Sequence, residues 1–252
     1  MSGHSKWASI KHKKAATDAK KGKVFTRIIR ELTMAAKAGG GDPAGNASLR
    51  KAIDDAKAAN MPQDNIKKAI QRGTGELPGV IYEEVVYEGY GPGGVAVIVE
   101  ATTDNKNRTS NEIRKIFSQH AGNMGEGGCV GWMFNKKGII EVPKAKYKEE
   151  ELMDIALEAG ADDIDSEDED IYTISTDPAK FNAVKAKLDE KKITLNFAEV
   201  TLVPQTYIKL AGKEAEQMMA LVEEMEEHDD TKNVHSNVDI AKEEMDRIAG
   251  LS

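Results

Sequence analysis

Residues 77–108, LPGVIYEEVVYEGYGPGGVAVIVEATTDNKNR, divide the chain into two kinds of structure. Leu77-Pro78-Gly79 has the composition of a linker, and β-branched residues become frequent after it. We therefore predict strands at Ile81–Tyr87 and Val95–Thr102, joined by a glycine-rich hairpin. A phosphate-binding glycine loop runs from a strand into a helix, whereas these glycines join two strands, so a hairpin is the better interpretation.

On the N-terminal side of this stretch, the spacing of apolar residues predicts three helices. Apolar residues recur at three- and four-residue intervals from about residue 13 to residue 38, as they do on a buried helix face. Similar, shorter patterns begin near Ala47 and Asp64, after breaks at Gly39-Gly40-Gly41 and Met61-Pro62. We predict a basic helical domain over residues 1–78.

On the C-terminal side, predicted strands and helices are mixed, which is typical of α+β folds. Residues 132–204 have the order strand–helix–strand–helix–strand and are long enough to bury a core of their own. The flanking segments, 79–131 and 205–252, each look like half of such a unit. The predicted fold class is α+β multidomain, with an N-terminal three-helix domain and two α+β sandwich-like domains, the third inserted in the second.

Charge is divided between the same regions. Residues 1–75 contain 16 Lys and Arg against 6 Asp and Glu, a formal charge of +10; the whole chain carries −8, so residues 76–252 carry −18. Such a cationic block is typical of proteins that bind nucleic acid, the abundant polyanion of the cell. We expect the acidic remainder to be repelled by that target and to be available to a second protein partner.

The cations of the first predicted helix share one face at about 100° per residue, roughly opposite its apolar residues. Lysine binds phosphate as a point charge, and arginine can also make forked contacts. Trp7 either stacks on an unpaired base or anchors the N-terminal arm to its own domain. The predicted nucleic-acid-binding residues are Lys6, Trp7, Lys11, His12, Lys13, Lys14, Lys20, Lys21, Lys23, Arg27 and Arg30.

Other polar features give no sign of catalysis. The five histidines are scattered, and Cys129 has no neighbouring His or Cys, so we predict no metal site, no cofactor and a cysteine that packs in a core. Because no nucleophile–base pair or paired carboxylate emerges, an enzyme is not expected. The acidic segment 162–170 is predicted to be a solvated loop. The segments 103–108 and 122–128 either form a contact surface or only shape loops.

Targeting signals are also missing from the sequence. No apolar run is long enough to span a membrane, and the basic N-terminus lacks the apolar region of a secretory signal. We expect a cytoplasmic protein without a membrane partner.

Four segments resemble the YebC/PmpR family: GHSKWASIKHKKAATDAKKGKVFTRIIRE (3–31), NMPQDNIKKAIQRG (60–73), YEGYGPGGVAVIVEATTDNKNRT (87–109) and NVHSNVD (233–239). The resemblance implies three domains with the third inserted in the second, and no catalytic residue. It also implies a DNA-binding transcriptional regulator that uses the lysines and arginines named above. Because a mitochondrial relative activates translation and bacterial members are linked to stalled ribosomes, the alternative is a translation factor that contacts ribosomal RNA. Cys129 and AGNMGEGG (121–128) depart from the family pattern.

Overall fold

The computed structural model describes residues 18–250, with side chains described from Lys23 to Ile248. The helices are α1 (Asp18–Gly39), α2 (Ala47–Ala58), α3 (Gln63–Thr74), α4 (Lys106–Gln119), α5 (Glu149–Glu158), α6 (Phe181–Glu190), α7 (Gly212–Glu227) and α8 (Lys242–Gly250). The strands are β1 (Glu83–Tyr90), β2 (Ala96–Thr103), β3 (Asn123–Met124), β4 (Phe134–Pro143), β5 (Asp163–Asp165), β6 (Ile171–Thr176), β7 (Phe197–Pro204), β8 (Ile208–Lys209), β9 (Thr231–Ser236) and β10 (Val238–Asp239).

Helices α1, α2 and α3 pack around one apolar cluster, which includes Leu32, Leu49 and Ile66. The side chain of Asn46 accepts a hydrogen bond from the amide of Leu49 and so caps the start of α2. Helix α3 ends at Gly75, whose φ of 82° lies in the left-handed region that glycine tolerates best. Capping and turn chemistry therefore set these helix ends, as the Gly and Pro breaks in the sequence predict.

The first sheet brings together residues that are far apart in the chain. Its strand order is β3-β1-β2-β9, and β1 and β2 form the predicted hairpin, with Tyr90 opposite Ala96. Strand β9 pairs antiparallel with β2. Helices α4 and α7 cover the sheet, so Phe117 and Met218 share one core with Val97 and Val99. A short parallel pair, β8 with β10, adds Ile208 and Val238 to the same cluster.

The second sheet lies within residues 134–204 and has the order β5-β6-β4-β7. Ile140, Val142 and Ile174 lie on one face and pack with Leu152 of α5 and Leu188 of α6. A further cluster of buried residues joins the two sheets: Ala96 and Ile98 of the first sheet contact Val130 and Phe134, with Leu202 packed against them. The divisions predicted near residues 78, 131 and 204 remain predictions.

The predicted α+β fold is confirmed, with two local corrections. The sequence pattern predicts separate strands at about Val130–Phe134 and Gly138–Val142, but Gly131–Met133 forms a single helical turn and one strand, β4, follows it. The acidic segment 162–170 is not all loop, since β5 pairs with β6 at the sheet edge and places Ile164 between two aspartates. Cys129 is partly buried and packs against the cluster that joins the two sheets. None of the helices in the described part of the chain is long and apolar enough to cross a bilayer.

Candidate nucleic-acid interface

The structure describes the side chains of three of the eleven predicted interface residues. Lys6, Trp7, Lys11, His12, Lys13 and Lys14 lie outside the described residues. Lys20 and Lys21 lie on α1, but their side chains are outside the described part. Lys23, Arg27 and Arg30 lie on successive turns of α1, and their contacts are described below.

These three cations contact the end of α7, far away in sequence. Lys23 Nζ donates to the carbonyl oxygen of Glu227 at 3.1 Å, and Arg27 Nη2 donates to the carbonyl oxygen of Glu226 at 3.1 Å. Arg30 Nη1 donates to the carbonyl oxygen of Asp229. The last carbonyls of a helix lack partners within the helix and carry its negative dipole end, so cations stabilise them.

Arg30 is also held by a buried ion pair. Its Nη2 lies 2.9 Å from Oδ1 of Asp230, with 12% of the Arg30 side chain and 2% of the Asp230 side chain exposed. The guanidinium carbon lies 5.6 Å from the ring centre of Tyr82, within the range of a cation–π contact. The cationic face of α1 is therefore not exposed at Arg30, which is covered by Asp230 and Tyr82. Helical spacing places these cations on one face, but it does not show what covers that face.

Asp230 joins α1 to the start of α4. Its Oδ2 accepts hydrogen bonds from Arg108 Nη2 at 2.7 Å and from Thr109 Oγ1 at 2.5 Å. Burial acts to raise the pKa of Asp230, but hydrogen bonds from Thr109 and Arg108 and the charge of Arg30 lower it overall. Asn105 caps α4 by accepting the amide of Arg108. The segment 103–108 thus shapes the fold through internal contacts, which favours the second of its two interpretations.

Glu88 plays a similar part for the glycine-rich segment. Its carboxylate accepts the backbone amides of Gly128, Val130 and Gly131 at 2.7–2.8 Å. Burial acts to raise the pKa of Glu88, but these three hydrogen bonds lower it overall. The amides of Gly128, Val130 and Gly131, at the end of this segment and just after it, are therefore occupied by the protein's own carboxylate. Segment 122–128 is also better explained as shaped loop than as a contact surface.

The NVHSNVD segment forms a third internal network, around Glu100 of β2. Glu100 Oε2 accepts from Asn233 Nδ2 at 2.8 Å and lies 3.3 Å from Nε2 of His235. Asn237 Oδ1 accepts the amide of Ala96 at 2.8 Å, at the entrance of the same strand. Hydrogen bonds from His235 and Asn233 lower the pKa of Glu100 to about 2, although burial opposes them.

This low pKa predicts an acid-dependent effect of Glu100→Gln. A carboxylate whose pKa is about 2 in the folded protein and roughly 4.3 when unfolded stabilises the fold above pH 4.3, and that stabilisation disappears as the pH falls towards 2. Glu100→Gln should therefore reduce the free energy of unfolding at pH 6 and have little effect near pH 2. Urea unfolding of both proteins at several pH values measures this, and a pH-independent difference would contradict it.

Exposed cations without an acidic partner are found on α3. Lys67, Lys68 and Arg72 are exposed, whereas Ile66 and Ala69 on the other side of the helix are buried. None of the three makes an ion pair or a side-chain hydrogen bond with the residues that the structure describes. The sequence prediction did not include these three residues, although the four-residue spacing of Lys68 and Arg72 places both on one helix face.

Within residues 18–250, no group of three or more His, Cys, Asp and Glu side chains is arranged to hold a metal ion. The side chains of the candidate interface can hold phosphate oxygens through ammonium and guanidinium groups. The described cations therefore support electrostatic recognition.

The fold and charge define a multidomain α+β protein with a basic helical N-terminal part. Residues 5–76 match the family model described as the TACO1/YebC protein N-terminal domain, and residues 82–238 match that of the TACO1/YebC second and third domain. These matches span most of the chain, and the chain belongs to the TACO1/YebC family.

Similar proteins support the same membership. A probable transcriptional regulatory protein of Endomicrobium trichonymphae is 61% identical over 98% of this chain and 99% of its own length. Another, from Geobacter sulfurreducens, is 56% identical over 98% of this chain and its whole length. A crystal structure of a conserved hypothetical protein from Aquifex aeolicus is 44% identical, with a TM-score of 0.78 over 89% of this chain and 92% of that one.

Proposed function

We propose that this protein is a non-enzymatic, cytoplasmic regulator that binds DNA through its basic N-terminal helical domain. The relatives named probable transcriptional regulatory proteins support a regulatory role. Because their names place that role in transcription, DNA is the target that we propose. The observation that carries the proposal is the segregation of charge, +10 in residues 1–75 against −18 in the rest. This arrangement steers a polyanion to one end of the molecule.

The proposed interface combines the N-terminal arm with the outer face of α3. The arm contributes Lys6, Trp7, Lys11, His12, Lys13 and Lys14, and the start of α1 contributes Lys20 and Lys21. Helix α3 contributes Lys67, Lys68 and Arg72, which are exposed. Lysine predominates, so the contacts are made mainly to phosphates and carry little sequence information. The acidic remainder of the chain, residues 76–252, is repelled by DNA and is then free to contact a second protein.

Replacing the three α3 cations tests this interface. The triple variant Lys67→Gln, Lys68→Gln, Arg72→Gln should bind duplex DNA more weakly, because each lost phosphate contact removes one released counterion. The slope of log affinity against log salt should become shallower by about 0.9 per lost contact. Fluorescence anisotropy titrations at several salt concentrations measure both quantities.

A matched control makes the same charge change outside the proposed interface. Lys146, Lys148 and Lys191 are also exposed and lie in the segment that carries the second sheet. Their replacement by Gln should leave the salt slope nearly unchanged. Equal slopes for the two triple variants would exclude α3 from the interface. If the protein instead sediments with ribosomes and prefers ribosomal RNA to duplex DNA, the target is RNA and the DNA proposal is wrong.

A further inference from the structure

The N-terminal helices are joined to the remainder of the molecule by polar contacts. The apolar cluster of α1–α3 contains no residue from outside residues 25–70, among those the structure describes. The two sheets, by contrast, share the buried cluster around Ala96, Ile98, Val130 and Phe134. Interfaces without a shared apolar core permit relative motion of domains more readily. The N-terminal helices are thus the part best suited to move.

The contacts of Lys23, Arg27 and Arg30 with residues 226–230 are here called the clasp. All its acceptors are carbonyl and carboxylate oxygens. Phosphodiester oxygens accept hydrogen bonds from the same ammonium and guanidinium groups. The clasp is therefore made of side chains that a nucleic-acid backbone would also bind.

The clasp is accessible to a competing anion. At its outer end, the Lys23 and Asp229 side chains are 58% and 66% exposed and 3.9 Å apart. It borders a cleft that is also lined by Arg108, Glu112 and His228. An exposed ion pair of this length contributes little to stability, so an incoming phosphate can displace its acidic partner.

The inner end of the clasp is incompletely satisfied. Arg30 Nε is buried, and it has no hydrogen-bond acceptor among the residues that the structure describes. A buried donor without an acceptor costs free energy. The closed clasp therefore leaves the Nε–H group of Arg30 without an acceptor. A new acceptor for this group would be favourable.

A segment suited to act as a hinge lies next to the clasp. Between Gly75 and the start of β1 at Glu83, the chain forms no helix or strand. Val80 and Ile81 are exposed there, so little packing holds the segment in place. Tyr82, at the end of the segment, contacts Arg30 and so couples the hinge to the clasp.

We propose that the clasp is a nucleic-acid site occupied by the protein's own α7 terminus, so that nucleic acid competes for Lys23, Arg27 and Arg30 and releases the N-terminal helices. The inference rests on the proposed function, because the competitor is the nucleic acid that the N-terminal arm and α3 bind. The apparent affinity equals the intrinsic affinity multiplied by the fraction of molecules in which the site is open. Loosening the clasp from the α7 side should therefore strengthen binding, although no cation of α1 is changed.

The variant Glu227→Gln, Asp229→Asn loosens the clasp, because it removes the ion pair of Lys23 with Asp229 and a further negative charge beside the Glu227 carbonyl oxygen that Lys23 contacts. Its affinity for duplex DNA should exceed that of a matched variant, Asp154→Asn, Glu158→Gln, by about twofold, because a larger fraction of molecules is open once this weak, exposed pair is lost. Asp154 and Glu158 are exposed on α5, and their replacement changes the net charge equally. Equal affinities of the two variants would overturn the proposal, because general electrostatics would then explain any gain.

Carbodiimide cross-linking of the wild-type protein reports the release directly. It joins Lys and carboxylate side chains that are in contact, and the Lys23–Asp229 product should decrease at saturating DNA. Lys106 and Glu83, 2.8 Å apart and similarly exposed, provide an internal control whose product should not change. The duplex carries 5′-hydroxyl ends, because carbodiimides activate terminal phosphates.

The two experiments separate the proposals. DNA binding with an unchanged ratio of the two cross-links overturns the release and leaves the proposed function standing. Failure of the wild type and of both variants to bind any nucleic acid overturns the proposed function together with the release. A selective loss of the Lys23–Asp229 product at DNA concentrations that saturate binding supports both.

Discussion

Asp230→Asn is expected to destabilise the protein by about 3 kcal/mol or more, the cost typical of removing one partner from a buried charge network. The Asp230 side chain is 2% exposed. Its carboxylate forms ion pairs with Arg30 and Arg108 and accepts a hydrogen bond from Thr109. An amide keeps the shape but loses the charge that both guanidinium groups face, and an NH2 donor replaces one of the two accepting carboxylate oxygens. Urea unfolding at pH 7, followed by circular dichroism, measures the change.

Asp229→Asn is the matched control, because the same chemical change is made one residue away. The Asp229 side chain is 66% exposed, and its carboxylate lies 3.9 Å from Lys23. Exposed pairs of this kind contribute about 0.5 kcal/mol or less. Since the pKa of Asp230 is lowered, its contribution is present at neutral pH and is lost in acid, so the two variants should converge as the pH falls. Equal destabilisation at pH 7 would show that the network around Asp230 is not what holds this region.

The parts of the fold that local chemistry determines were predicted well from the sequence. Apolar spacing located the three N-terminal helices, and the Gly and Pro breaks located their ends. The hairpin of β1 and β2 followed from alternating residues around a glycine-rich turn. Strand β5 was missed because three residues with two aspartates have no strand pattern, and it forms only because β6 presents a free edge.

The contacts of Lys23, Arg27 and Arg30 on α1 could not be predicted in the same way. Lys23 contacts a carbonyl that is 204 residues away in sequence. Helical spacing showed that the cations share a face, but a solvent-exposed face and one docked on another helix end have the same pattern. Only the tertiary fold brings Glu226, Glu227 and Asp229 to that face. The exposure of the α3 cations could not be predicted for the same reason. It depends on which parts of the folded chain pack against α3.

Two of the four segments that carry the family resemblance have an internal explanation. In TTDNKNRT, Asn105 caps α4, and Arg108 and Thr109 bind Asp230. In NVHSNVD, Asn233 binds Glu100, and Asn237 binds the backbone of Ala96. These motifs position strands and helix ends, so they identify the fold. The nucleic-acid interface must therefore be sought in surface charge.

Gly73→Ala is expected to destabilise the N-terminal helices by about 2 kcal/mol, within the range for overpacking a close contact. Gly73 lies where α3 crosses α1, and a Cβ there would overlap the carbonyl oxygen of Thr33 and lie 2.7 Å from Cβ of Ala36. A backbone carbonyl within a helix cannot rotate away, so the two helices must separate. Thermal unfolding followed by helical circular dichroism measures the loss.

Gly22→Ala makes the same substitution in a helix, without the crossing. Nothing lies within 4 Å of a Cβ built on Gly22. Alanine is favoured over glycine in helices by about 1 kcal/mol, so this variant should stabilise α1. Because both variants gain the same intrinsic helix propensity, their difference isolates the steric cost of the crossing. If both variants were stabilised, α1 and α3 would not approach as closely as described, and the orientation of the exposed cations on α3 would have to be revised with them.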